Sequence, residues 1–289
     1  MNNRQKFLFT SLLGFVALAA SAFPAAAAIS LGTASNFAVL SATTGGGGAV
    51  TCTDSAIDGN VASSGARASV VRTNCTITGS IVAPVSAGVL TDFNSAYDAF
   101  AAMTCTPLSM DNTGTDPARN LSTLSGVTLA PGVYCIDSVA KAGTLTLAGG
   151  STDTWIFIVQ GGALTGTGFN VVMANGAMAC TSDVYWSVPA AATLTDSNFV
   201  GTILAGAAIT LTRGTFSGAA LAKGAVTLTG ATVNGCGGIF NPPLKHCNQG
   251  VGNGPEFCDP GNSNQGYPFR SNDEFGGVPG APGRKGGNK

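Results

Sequence analysis

Short runs of alternating apolar and polar residues fill most of this chain, and toward its C-terminal end the alternation repeats every 17 residues. Thr193-Leu194-Thr195, Thr210-Leu211-Thr212 and Thr227-Leu228-Thr229 head segments of the form Thr-Leu-Thr-x-x-(Asn/Thr)-apolar-x-Gly, which end at Gly201, Gly218 and Gly235. Equal spacing of near-identical strands is the pattern of a solenoid, in which each coil stacks on its neighbours and repeats their requirements. Side chains alternate along a strand, so Leu194, Leu211 and Leu228 form a buried ladder. The threonines then form two outward ladders, Thr193/Thr210/Thr227 and Thr195/Thr212/Thr229, on a surface without charge. Asp196, Arg213 and Gly230 follow the second threonines and break the ladder: at a corner they frame the face, and in its plane Asp196 and Arg213 would hold their own hydration shells. Asn198, Thr215 and Thr232 either continue the surface or are corner polar groups, and the corner is the preferred reading.

Similar signals occur earlier. Between Leu31 and Val82, runs such as Phe37-Ala38-Val39-Leu40 and Thr76-Ile77-Thr78 alternate with Gly and Asn turns. Ile57-Asp58-Gly59-Asn60-Val61 resembles Ile77-Thr78-Gly79-Ser80-Ile81 twenty residues on, so the rungs are uneven in length. From Ser86 to Met103 the pattern changes: Val89, Leu90, Phe93, Tyr97 and Phe100 recur at spacings of three and four, which predicts one amphipathic helix with Ser86 as its cap. Its apolar stripe needs a partner, and the flank of the coils is the large apolar surface available. Thr104 to Ser125 reads as a long loop or cap. Strands resume with Val127-Thr128-Leu129, and several later ones, Trp155 to Val159, Val171-Val172-Met173 and Val184 to Val188, are apolar on both faces, as suits burial between the interior and the helix.

Composition narrows the function. Charged residues are only 9% of the chain while 41 are glycine, and the formal net charge is -1. No basic cluster offers nucleic acid or an anionic membrane an attraction. Residues 1–28 read as a secretory signal, with Arg4 and Lys6 before an apolar run and small residues at Ala26-Ala27-Ala28. No later stretch is long and apolar enough to insert in a membrane, so the expected product is secreted or extracellular, with a periplasmic or cell-surface-associated form as the alternative. Eight cysteines, Cys52, Cys75, Cys105, Cys135, Cys180, Cys236, Cys247 and Cys258, fit an oxidising compartment. Sequence alone leaves 105 pairings open, with Cys247–Cys258 the most local. The domain reading is a body over 29–245 and a tail over 246–289, rich in Gly, Asn and Pro and too poor in apolar residues to fold by burial.

Catalysis finds little to work with. Glu256, Glu274 and the single histidine, His246, all lie beyond Lys245, so the body has aspartate as its only carboxylate and lacks the commonest general base. An enzyme of the carbohydrate-active β-helix kind would use clustered aspartates, for which Asp54 and Asp58 are the candidates; turn chemistry is the plainer reading. The run Asp259-Pro260-Gly261-Asn262-Ser263-Asn264 has oxygens for calcium but not the EF-hand spacing. His246 beside Cys247 lacks a second ligand pair for zinc. No metal or cofactor is therefore expected. Trp155, Tyr185 and Trp186 could stack on sugars but sit in apolar strands that suit a core.

Several pieces, in order, resemble a known family. Leu31-Gly32-Thr33-Ala34-Ser35-Asn36-Phe37-Ala38-Val39-Leu40, Leu129-Ala130-Pro131-Gly132-Val133-Tyr134-Cys135, Trp155-Ile156-Phe157-Ile158, Asn175-Gly176-Ala177-Met178-Ala179-Cys180, Phe199-Val200-Gly201-Thr202-Ile203-Leu204-Ala205 and Gly218-Ala219-Ala220-Leu221-Ala222 are similar to secreted microbial ice-binding (antifreeze) proteins. The resemblance implies a mainly β fold, an irregular right-handed three-sided β-solenoid with one long α-helix packed alongside. It also implies a flat face rich in threonine, fed by coils from both chain ends, that adsorbs to ice. That face falls here on Thr193, Thr195, Thr210, Thr212, Thr227 and Thr229, with Thr43 and Thr44 from the first coil. The expected partner of this monomer is an ice crystal surface. A cell-surface or matrix adhesion module on the same scaffold is the alternative.

Overall fold

The computed structural model describes residues 30–108, 122–174 and 183–235. The leader and tail readings lie outside these residues, as do Cys180, Cys236, Cys247 and Cys258 and with them the Cys247–Cys258 pairing. Among the described residues the regular structure is short parallel strands, three short 3-10 helices and one α-helix.

The strands form two sheets, and from Val127 onward the chain alternates between them. The 10-stranded sheet runs Val70–Thr73, Val50–Thr53, Val226–Asn234, Ile209–Ser217, Ala192–Val200, Leu164–Met173, Lys141–Leu147, Val127–Leu129, with Ala56–Asp58 and Thr76–Ile77 beside that path. The nine-stranded sheet runs Ile81–Val82, Val61–Ser63, Val39–Ser41, Ala220–Ala222, Thr202–Ala205, Asp183–Val188, Thr154–Gln160, Gly132–Asp137, Thr106–Pro107. Chain order and stack order therefore differ. The first strands lie against the last ones, with Val39 beside Ala220 and Thr51 beside Thr227. Both sequence repeats become neighbouring rungs: Thr193, Thr210 and Thr227 pair in series, and Ile57 pairs with Ile77.

The helix, Ala87–Ala101, follows one end of the nine-stranded sheet and is followed by the strand at the other, so the chain returns along the stack before coiling back. Its buried residues Val89, Phe93, Ala96 and Phe100 cluster with Leu40, Ala62, Ile156, Ile158, Tyr185, Leu204 and Leu221 on the outside of that sheet. This explains why Trp155 to Val159 and Val184 to Val188 are apolar on both faces: one faces the interior and the other the helix. Val171-Val172-Met173 departs from that reading. It belongs to the other sheet, which the helix does not cover, and Val172 is 37% exposed. The loop expected over 104–125 also needs correcting, since Thr106–Pro107 pairs as an edge strand and Thr123 bridges to Ala142. Residues 109–121 lie outside the described residues.

The core between the sheets is aromatic at its centre. Phe157 stacks on Trp186 at 4.0 Å, Trp186 meets Phe199 at 4.8 Å, and Phe199 stacks on Phe216 at 5.7 Å. Both indole N–H groups are satisfied, Trp155 by the Leu129 carbonyl and Trp186 by that of Val200. Lys141 is the exception in this apolar setting: its side chain is 1% exposed and its ammonium is paired with Asp137, which is 32% exposed. Removing one partner of such a pair leaves a buried charge uncompensated. Asp137→Asn is expected to cost about 3 kcal/mol, whereas Lys141→Met, which removes the charge itself, costs far less; urea unfolding of both variants checks this.

Two disulfides tie the ends of the stack. Cys52 of Val50–Thr53 bonds Cys75, which follows the terminal strand Val70–Thr73, and Cys105, preceding the terminal strand Thr106–Pro107, bonds Cys135. A terminal rung has a neighbour on one side only, so it frays first. The loops closed, with separations of 23 and 30 residues, correspond to about 3–4 kcal/mol each by chain entropy. The pair Cys52→Ser/Cys75→Ser is expected to lower stability by about 3 kcal/mol and to speed amide exchange in Val70–Thr73 before it does so in Ile209–Ser217.

Candidate functional site

The open sheet is not one plane. In Ala192–Val200 the buried positions are Ala192 and Leu194, then Ser197 and Phe199, so the inward parity changes between Leu194 and Ser197. Strict alternation would have put Asp196 and Asn198 inside. The extra residue is Asp196, in the left-handed region at φ 50, and the same place holds Arg213 (φ 55), Gly230 (φ 62), Asp54 (φ 47), Asn74 (φ 50) and Gly168 (φ 59) in the other rungs. A left-handed residue inserted in a strand behaves as a bulge: it bends the chain and resets which side chains face inward. The Asp196/Arg213/Gly230 positions are thus a bend. Asn198, Thr215 and Thr232 are not corner groups. They lie in register on the strand beyond the bend, with Asn198 beside Thr215 and Thr215 beside Thr232, and form a second outward column.

Before the bend lies the threonine face. Thr193, Thr210 and Thr227 form one column and Thr195, Thr212 and Thr229 the other, while Leu194, Leu211 and Leu228 are buried beneath. The fold extends both columns with residues that the 17-residue period does not contain. The first runs Thr165, Thr193, Thr210, Thr227, Thr51 and closes at Val71, which is 50% exposed. The second is unbroken: Thr167, Thr195, Thr212, Thr229, Thr53, Thr73. Six strands at about 4.8 Å make a column about 24 Å long, and two residues along a strand set the columns about 6.7 Å apart. A signal for the added threonines does exist in the sequence, as Thr-x-Thr followed by a residue tolerant of the left-handed region: Thr165-Gly166-Thr167-Gly168 and Thr51-Cys52-Thr53-Asp54.

Thr43 and Thr44 lie elsewhere. They sit in the connection between Val39–Ser41 and Val50–Thr53, where the Thr43 carbonyl accepts from Ser64 Oγ, and they join neither column. The first coil contributes Thr51 and Thr53 instead.

The charged side chains at the bend are bonded across rungs. Arg213 donates Nε to Asp196 Oδ1 at 2.6 Å and Nη2 to Asp196 Oδ2 at 2.8 Å. Those bonds hold the Asp196 carboxyl below its ordinary pKa. The stabilisation from this shift is complete above the ordinary aspartate pKa and is lost as pH falls through the lowered one. Asn74 Nδ2 donates to Asp54 Oδ1 at 2.8 Å, and Thr78 Oγ1 to Asp58 Oδ1 at 2.6 Å. Both candidate catalytic aspartates therefore hold neighbouring rungs together. Trp155, Tyr185 and Trp186 are buried and offer no stacking platform. Among the described residues no group of three or more His, Cys, Asp or Glu gathers to hold a metal.

Two parallel sheets with a helix over one, and an open, regular, hydroxyl-bearing face on the other, define a β-helix-type protein. The chain belongs to the ice-binding-like family, which it matches over residues 25–234. It is 33% identical over 185 residues to an ice-binding protein of Flavobacterium frigoris (strain PS1), a match covering 61% of this chain and 65% of that protein's length. It is 32% identical over 217 residues to ice-binding protein K3-B1 of Typhula ishikariensis, covering 69% of this chain and 86% of that one. In three dimensions it is similar to the ice-binding protein of the Antarctic ascomycete Antarctomyces psychrotrophicus, with a TM-score of 0.58 at 30% identity over 71% of this chain and 97% of that one.

Proposed function

We propose that this protein binds ice through the threonine face before the bend and so restrains ice growth or recrystallisation, without catalysis. The observation that carries the reading is the unbroken register of Thr167, Thr195, Thr212, Thr229, Thr53 and Thr73 beside a second column of threonines. Each threonine offers a methyl that restrains nearby water and a hydroxyl that anchors it as donor and acceptor. Because threonine is β-branched, its χ1 is restricted before ice arrives. The grid of about 4.8 by about 6.7 Å is close to repeats found on ice planes, and a plane of many weakly held waters joins a crystal where scattered hydroxyls do not. The names of the relatives, all ice-binding proteins, support this choice of partner.

In the same reading the covered sheet and the two halves of the bent sheet are the three sides of a right-handed solenoid. Residues 1–28 direct export, 29–245 form the ice-binding domain and 246–289 a tail. No helix among the described residues is long and apolar enough to cross a membrane. The chain acts as a monomer: Arg72 continues the core column Leu194, Leu211, Leu228, Cys52 into the last rung, and a charge at that place opposes stacking on a second copy.

Thermal hysteresis with crystal shaping on the purified, oxidised full chain tests the function. A freezing gap with faceted crystals is expected. Round crystals and no gap would overturn ice binding and favour a surface or matrix adhesion module.

A further inference from the structure

The described residues contain four non-glycine residues in the left-handed region, Asp54, Asn74, Asp196 and Arg213, and all four stand in the bend column. Each follows a threonine of the outer column: Thr53, Thr73, Thr195 and Thr212. They also bond to one another two by two across adjacent rungs, Asn74 to Asp54 and Arg213 to Asp196. Glycine fills the same place at Gly168 and Gly230, so the bend itself needs no side chain. A side chain held in this region carries a backbone cost that glycine avoids. An exposed ion pair returns little stability: the Arg213 and Asp196 side chains are 60% and 50% exposed. That cost is small for Asp and Asn and largest for Arg213, and stability alone does not account for left-handed side chains that among the described residues are found only in this column and always paired.

We propose that Asp196–Arg213 and Asp54–Asn74 are positioning pairs, which clip neighbouring rungs at the bend and fix the spacing and orientation of the outer threonine column. The proposal rests on the threonine face being the ice-binding surface. The bonds are inter-rung and lie one residue from the threonine hydroxyls, so they hold the repeat along the stack at the rim of the face, where the sheet bends away. Arg213 does this with a planar fork matched to both carboxylate oxygens, which fixes direction as well as distance. Pairing also keeps a free carboxylate and a free guanidinium from holding their own hydration shells beside the ordered water.

The test is the pair Asp196→Gly/Arg213→Gly beside the swapped pair Asp196→Arg/Arg213→Asp and the face variant Thr210→Tyr/Thr227→Tyr. Each is measured in the full oxidised chain for thermal hysteresis and for unfolding temperature. The glycine pair is expected to unfold at the wild-type temperature or above it, because the strain is gone, yet to lose thermal hysteresis several-fold; the swapped pair recovers it. Wild-type hysteresis in the glycine pair overturns the positioning role, and so does a loss that the swapped pair fails to recover. If those results come with loss of activity in the threonine-to-tyrosine variant, the face reading survives on its own. Unchanged activity in that last variant overturns the face and the positioning role together.

Discussion

Thr210→Tyr/Thr227→Tyr is expected to abolish thermal hysteresis and ice shaping while leaving the unfolding temperature nearly unchanged. Both residues lie in the middle of the first column, flanked by Thr193 on one side and Thr51 on the other. A tyrosine ring there stands above the plane of the neighbouring threonines and holds the rest of the face off a flat crystal. Adsorption of a rigid plane depends on simultaneous contact, so one raised point disrupts the contribution of the whole column. The fold has no matching sensitivity. Both side chains point outward, and outward substitutions away from buried groups usually change stability by about 0.5 kcal/mol or less. Tyrosine is also a good strand residue. The comparison variant is Thr215→Tyr/Thr232→Tyr, on the column beyond the bend. Activity lost there and kept in the first variant would move the ice-binding surface across the bend.

The largest effect on stability is expected from Phe100→Ala. Phe100 is fully buried near the C-terminal end of the helix, with its ring 4.8 Å from that of Tyr185 on the covered sheet. Truncating a buried phenylalanine removes its transfer free energy and leaves a cavity that the sheet cannot collapse to fill, a cost of about 3–5 kcal/mol. For a domain of this size that is a fall in unfolding temperature of roughly 10 °C. Hysteresis is measured near the freezing point and the proposed face lies on the other sheet, so activity is expected to persist in the folded fraction. Equal loss of stability and of hysteresis would show that the helix-covered sheet reaches the proposed ice-binding face. The helix matters because it is the return connection between the two ends of the stack and covers one sheet along its outside.

Both repeats could be read in the sequence because solenoid coils repeat their requirements locally. The 17-residue threonine period became adjacent rungs, and so did the resemblance between Ile57 to Val61 and Ile77 to Ile81. The helical stripe Val89, Phe93, Phe100 was legible for the same reason, since spacing of three and four residues is a property of one segment. Less visible was the bend. A single left-handed residue resets the inward parity, and Asp and Arg do not announce that conformation as glycine does, so Asn198, Thr215 and Thr232 read as corner groups when they belong to a strand.

The amino-acid sequence by itself determined the coil chemistry, the inward leucine ladder, the helix and the central threonines of the face, because each depends on neighbours within one or two repeats. Only the tertiary structure decided which coils stand side by side. The first strands insert against the last ones, and so Thr51, Thr53 and Thr73 join threonines far along the chain while Thr43 and Thr44 stay in a connection. The same stacking selected the two terminal disulfides from among the described cysteines and placed Val172 outside the helix. The physical reason is that a parallel rung is held by strands distant in sequence, so its place in the stack is set by what docks beside it and not by what precedes it.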